Sequence, residues 1–262
     1  MIQKSTSLIL SAAAFCSTLA AGQENYSLWP RRPAELEQAQ RLIRNQEYEE
    51  ALKLLTPFVH KTGLAGHESR HLVGAVRVRD YLSPKHPKIR THTVRRGENI
   101  ERIATANKSS RDLIILINGM MDPSSLRVGQ RLLVAPMDLR AELHISSREI
   151  TVWDASTLVA AYDIIPSQDL LPGGNTETQL KDREGEVNGG RIPKSSALFT
   201  SSNRLLKLAD GTNISGADGA AAKQKTVQMK QRDLNELSLL LGIGGRVSIV
   251  RDDKAFDPYP QG

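Results

Sequence analysis

The chain is almost without cysteine. Of its 262 residues only Cys16 carries a thiol, and it lies in a segment that reads as a leader. An intrachain disulfide, a Cys-ligated zinc site and a cysteine nucleophile in the body of the protein are thereby excluded. Aromatic residues make up 4%, too few for a broad base-stacking platform. No Lys/Arg block forms a nucleic-acid footprint, and past the leader no segment is long and apolar enough to span a bilayer. What is present is ordinary for a globular chain, 39% hydrophobic and 24% charged. The formal net charge is +6, or +5 without residues 1–22, where Lys4 is the one charged side chain. That modest excess suits an anionic surface.

The first 22 residues combine Lys4, the apolar run Leu8 to Ala14 and the small residues Ala20-Ala21-Gly22. This is the pattern of a secretory signal peptide cut before Gln23, with export as its consequence. Phe15 precedes Cys16 where a lipobox has a small residue, so no lipid anchor is expected. Residues 30–83 are helical in pattern. Pro33 opens a first helix. Ala39, Leu42 and Ile43 lie on one face, and Tyr48, Ala51, Leu52, Leu55 and Val59 continue the period on a second helix. A third is expected from about Glu68 to Leu82. YEEALKLL resembles one tetratricopeptide-like unit, which cannot bury its own face alone and needs something to pack on. Pro84 and Pro87 then mark a linker over 84–90.

Inside the third helix, His67-Glu68-Ser69-Arg70-His71 fits H-E-x-x-H. On a helix the two histidines share a face, the geometry of a zinc-protease helix with Glu as base. The preceding GLAG does not read as helix, no sheet is evident to shape a cleft, and no third ligand follows at a familiar spacing. The expectation is therefore two surface or packing histidines, with no metal and no cofactor.

Residues 92–134 read as strand, helix, helix, strand. Gly97 turns the chain, Asn99 caps a helix whose inner face is Ile100, Ile103 and Ala104, and Ser109 or Ser110 caps a second. Leu113, Ile114, Leu116 and Ile117 are expected inside, and Asn118-Gly119 stops the helix. The pieces TVRRGENIERIA, LINGMMDPSSL and RVGQRLLV resemble, in order and spacing, the three motifs of the LysM domain, here spanning 91–136. The resemblance implies a non-catalytic module for N-acetylglucosamine polymers, peptidoglycan or chitin. It implies a sugar groove between Gly97, Glu98, Asn99 and Ile100 on one side and Asn118, Gly119, Met120, Met121, Asp122 and Pro123 on the other. Methionines there suit an adaptable apolar floor under a sugar ring.

From Leu139 the period switches to strands: LRAELHIS, REITVWD and TLVAAYDIIPS, with short turns at Ser146-Ser147 and Ala155-Ser156. A long Gly-containing region follows over 171–198. Leu205 to Ala209 resumes an apolar pattern, RDLNELSLLL reads as an amphipathic helix and GRVSIV as a last strand. The opening hairpin, with Asp233, Leu237, Leu241, Gly242, Gly245, Val247 and Ile249 near the end, resembles an L,D-transpeptidase domain over 139–252. That family carries I-H-G and then S-x-G-C-[IV]-R-[ML], supplying a histidine base, a cysteine nucleophile and an orienting arginine. Here Ile214-Ser215-Gly216 aligns with the first motif and Lys225-Thr226-Val227-Gln228-Met229 with the second. Ser215, Thr226 and Gln228 thus stand at the three catalytic positions. A hydroxyl needs an adjacent base to become nucleophilic, and Ser215 is none.

The expectation is an α+β protein: a short helical N-terminal segment, a βααβ LysM domain and a β-rich L,D-transpeptidase-like domain, with a tail at 253–262. It is expected to be exported to the periplasm or cell wall, to bind peptidoglycan glycan strands, and to be catalytically silent. Cell-wall enzymes are further candidate partners; nucleic acid and a membrane span are not expected. The rivals are an enzyme, through a Ser/Thr nucleophile with Lys223 or Lys225 as base or through zinc at His67/His71, and a wall-localised scaffold.

Overall fold

The computed structural model describes residues 32–120, 126–187, 190–192, 202–216 and 224–251. Residues 1–22, expected to be a signal peptide, and the expected tail 253–262 lie outside them. The fold is mixed α+β, with helices in the N-terminal part and a large sheet in the C-terminal part.

The first helices are α1 (Ala34–Arg44), α2 (Tyr48–Leu55) and α3 (Gly63–Tyr81). Helix α1 has Glu35 and Glu37 in its first turn and Arg41 and Arg44 in its last, the order that the helix dipole favours. Leu36, Ala39, Ala51, Leu55 and Val73 bury against Trp153 and Leu158 of the large sheet. The helical segment therefore does pack on a sheet. Helix α3 begins at Gly63, well before the expected Glu68, so GLAG is helical after all. Gly66 lets its first turn approach Lys61: a Cβ there would sit 1.8 Å from the Lys61 carbonyl oxygen. Further along, a Cβ on Gly74 would sit 2.7 Å from the backbone nitrogen of Ala161. Only glycine permits such an approach of helix to strand.

Strands β1 (Arg90–Thr93) and β2 (Arg131–Val134) pair antiparallel, with Arg90 opposite Val134 and Thr93 opposite Arg131. Between them run α4 (Ile100–Ala106) and α5 (Arg111–Ile117). The side chain of Asn99 caps α4 by accepting from the Arg102 amide at 2.9 Å. Ile100, Ile103, Ile114, Ile115, Leu132 and Val134 form this small core. Leu116, expected inside, is 51% exposed, and Ile115 takes the buried place.

The large sheet contains β3 (Leu139–His144), β4 (Glu149–Asp154), β5 (Thr157–Asp163), β6 (Ile165–Pro166), β7 (Thr176–Val187), β8 (Gly190–Ile192), β9 (Asn203–Leu208), β10 (Asn213–Gly216), β11 (Thr226–Met229) and β12 (Arg246–Val250). Its order is β5-β4-β3-β12-β7-β9-β10-β11-β6, with β8 beside β7. The long strand β7 falls within the Gly-containing region 171–198, to which the sequence assigns no element. TETQLKDREGEV offers few apolar side chains, and the strand is held by its neighbours β12 and β9 instead of by an apolar face of its own. The terminal strand β12 returns to the middle, parallel to β3 and antiparallel to β7. Helix α6 (Gln231–Leu240) buries Leu234 and Leu237 in the core shared with Ile214, Val227 and Leu206.

The βααβ unit is docked on the large sheet. Ser110 Oγ donates to the Ser238 carbonyl at 2.8 Å, and a Cβ on Gly242 would meet the Ser109 carbonyl oxygen at 2.4 Å. Asp112, 2% exposed, lies 3.1 Å from Arg111, 3.3 Å from Arg183 and 3.3 Å from Arg204. Burial holds the Arg204 guanidinium below its ordinary pKa, with Asp112 acting in the opposite direction.

Candidate functional site

Two regions carry the residues that the sequence singles out. The first is the pair of turns in the βααβ unit. Gly97 takes φ +83° and Gly119 φ +59°, left-handed values that suit glycine. Glu98 folds back on its own turn: its Oε2 accepts from the Arg95 amide at 2.7 Å and lies 2.9 Å from His92 Nε2. The Arg95 amide, and then the His92 contact, hold the Glu98 carboxyl below its ordinary pKa. Its contribution to the turn is complete above the ordinary glutamate pKa and lost as pH falls through the depressed value. In a pH titration followed by amide NMR, the Arg95 signal should therefore shift with a midpoint below that of a free glutamate. A midpoint at or above the free value would refute the contact.

Two groove candidates are otherwise committed. Ile100 is 6% exposed and belongs to the small core. Asn118 donates from Nδ2 to the Ile114 and Leu133 carbonyls and accepts the Leu133 amide, all at 2.8 Å. That amide ties the end of α5 to β2. Gly97, Asn99 and Gly119 face solvent. Met120 is half-buried against the core. Met121, Asp122 and Pro123 lie outside the described residues. Burial adds one exposed apolar side chain that sequence reasoning assigns inward, Leu116, on the last turn of α5.

The second region is the β10–β11 pair. These strands run parallel, with Ser215 opposite Gln228 and Asn213 opposite Thr226. Side chains alternate along a strand, so Ser215, Gln228 and Thr226 share the face opposite Ile214 and Val227. The fold thus brings together the three positions at which the motifs align. Thr226 is 4% exposed, and its hydroxyl donates to the Gln224 carbonyl at 3.2 Å. Neither hydroxyl has a histidine or carboxylate partner among the described residues. Lys225 has φ +50°, and its amide donates to Asp169. Residues 217–223, including Lys223, lie outside the described residues.

The H-E-x-x-H histidines face the sheet. Both Nε2 atoms approach Asp163 at the end of β5, and His71 also approaches Glu149 at the start of β4. Of the three grounds on which they were expected to be surface or packing residues, two fall: GLAG is helical, and a sheet borders the histidines. The sheet residues come from far along the chain, so no local spacing could show them. Glu68 accepts from Gln40 of α1 at 2.9 Å. Beside this cluster opens a cleft of about 210 Å³, lined by His60, His67, Arg70, His144, Glu149 and Trp153, among others.

Comparison with known proteins matches residues 92–135 to the LysM domain. The chain is 23% identical over 165 residues to the "Putative L,D-transpeptidase YkuD" of Bacillus licheniformis, a match covering 61% of this chain and 98% of that one. Among solved structures, an L,D-transpeptidase from Mycobacterium smegmatis is similar at a TM-score of 0.32 and 7% identity, over 47% of this chain and 64% of that chain. The Enterococcus faecium L,D-transpeptidase C442S mutant is similar at 0.33 and 13% identity, over 44% of this chain and 51% of that chain. This chain thus spans less than two thirds of either structure. No helix among the described residues is long and apolar enough to cross a membrane. The chain carries a LysM domain at residues 92–135 and an L,D-transpeptidase-like domain, the pairing of a cell-wall protein.

Proposed function

We propose that this is an exported peptidoglycan-binding protein. It grips N-acetylglucosamine-containing glycan through the LysM turns and carries a catalytically silent L,D-transpeptidase-like domain. The observation that carries the binding half is the LysM match over 92–135. The silent half rests on the β10–β11 face, where Ser215, Thr226 and Gln228 stand at the aligned positions and the Thr226 hydroxyl is engaged with a carbonyl. A hydroxyl without a base is a poor acyl acceptor at neutral pH. On this reading Gly97, Glu98, Asn99, Gly119, Met120, Met121, Asp122 and Pro123 form the sugar-facing turns, while Ile100 and Asn118 hold them in shape.

Purified peptidoglycan tests the binding half. The wild-type protein should sediment with it, and joint replacement of Asn99, Met120 and Asp122 by alanine should release it, with circular dichroism confirming that the variant is folded. Failure of the wild type to sediment sinks the reading, as does full retention by the folded variant. Incubation with muropeptides tests the silent half: no cross-linked or cleaved product should form. Any product abolished by Thr226→Val or Ser215→Ala would identify an acyltransferase instead.

A further inference from the structure

We propose that His67, His71 and Asp163 form a zinc site that fastens helix α3 to strand β5, beside Glu149 of strand β4. It is independent of the LysM and transpeptidase readings. The three donors converge: one ligand atom from each lies within 4.8 Å of the other two. His67 and His71 lie one helical turn apart, with ring centroids 4.4 Å from each other. Asp163 Oδ1 is 3.2 Å from His67 Nε2 and 3.4 Å from His71 Nε2, and Glu149 Oε1 is 3.3 Å from His71 Nε2. These are hydrogen-bond distances without hydrogen-bond directions: His67 Nε2, His71 Nε2 and Glu149 Oε1 are buried and make no directed hydrogen bond. Buried polar atoms that crowd together in this way need a shared partner.

The spacing identifies the partner. Zinc binds imidazole nitrogen and carboxylate oxygen at about 2.0–2.2 Å, and the edges of such a tetrahedron are about 3.3–3.6 Å long. The two separations of Asp163 from the histidines, 3.2 and 3.4 Å, lie close to that edge. Charge points the same way. Glu149 and Asp163 are direct cross-strand partners in the β4–β5 register, an arrangement that repels between like charges. Arg70 takes one oxygen only, placing Nε at 2.8 Å and Nη2 at 2.7 Å on Glu149 Oε2. It leaves Oε1 turned to His71, 3.3 Å from its Nε2. A dication beside both carboxylates offsets their mutual repulsion. Two imidazoles select zinc over magnesium or calcium. Three protein donors leave one position of the tetrahedron open. Glu68, the base of the peptidase motif, is turned to Gln40 of α1. The adjoining cleft, which His67 and Glu149 both line, gives the ion its way in.

The test uses the full chain, purified without a histidine tag, stripped with chelator, reloaded with zinc and desalted. Elemental analysis should find about one zinc per chain, cobalt should give the intense visible absorption of a tetrahedral site, and zinc should raise the melting temperature. Asp163→Asn and His71→Gln should each weaken zinc by about 10-fold or more, while Glu68→Gln should keep wild-type stoichiometry. Where a ligand variant fails to fold, the wild-type cobalt spectrum decides alone. A folded wild type that retains no zinc and gives no tetrahedral cobalt spectrum overturns the site. So does equal loss in Glu68→Gln and His71→Gln, because the metal would then lie elsewhere.

Discussion

Asp112→Ala should cost about 3–5 kcal/mol of folding stability, the range for removing one partner of a buried ion pair. Asp112 is the carboxylate on which Arg111, Arg183 and Arg204 meet, and all four side chains are buried. The substitution leaves three guanidiniums in a low-dielectric interface, where Glu101 lies 3.9 Å from Arg111. Arg183 comes from β7 and Arg204 from β9, so the loss falls on the contact between the LysM domain and the large sheet. Urea denaturation should show it as a lower midpoint. A fall in melting temperature of roughly 10 °C would accompany it for a unit of this size. A change under about 1 kcal/mol would mean that water reaches the guanidiniums and that the two parts are not locked by charge. Asp112→Asn should fall between wild type and alanine, because it keeps the hydrogen-bond acceptor and loses the charge.

Gly74→Ala should destabilise by about 1–3 kcal/mol, as overpacking does. In an exposed helix the same change stabilises by roughly 1 kcal/mol, since alanine is the better helix former. The sign reverses here because the added Cβ would lie 2.7 Å from the Ala161 nitrogen and 3.0 Å from the Ala160 Cα. Both are backbone atoms of β5 and cannot swing aside. Gly74→Val should be worse, since its two methyl groups widen the same clash. Denaturant midpoints of the three proteins decide the matter. Alanine at or above the wild type would show that α3 can lift from β5 at little cost. Gly66→Ala is a less clean probe, because its clash with the Lys61 carbonyl would also move Arg70 and His67.

Much of this architecture is legible in the residues. Strands β3, β4 and β5 show themselves by alternation and by turn residues at Ser146-Ser147 and Ala155-Ser156. The βααβ unit shows itself by caps such as Asn99 and by motif order. What is not legible is what neighbours supply. Strand β7 is polar along much of its length and exists because β12 and β9 flank it. Helix α3 begins with Gly63 and Gly66, which read as a loop, and the close approach of Gly74 to β5 is a tertiary fact. Leu116 points outward because the α5 stripe turns by one residue. For the candidate sites, parallel pairing of β10 and β11 sets Ser215 beside Gln228. The β4–β5 register brings Asp163 and Glu149 to the H-E-x-x-H histidines, which no spacing within α3 could have announced.

The docking of the LysM domain has a mechanical consequence. Two modules on a slack tether search independently, and the effective concentration of one at the other falls as the tether lengthens. Here Ser110, Asp112 and the Gly242 contact remove the slack. On the proposed function, a glycan strand held at the LysM turns would meet the β10–β11 face at one fixed reach and bearing, as between the jaws of a caliper. Such a protein would register the spacing of the wall polymer, and softening the Asp112 cluster would widen the range of spacings it accepts.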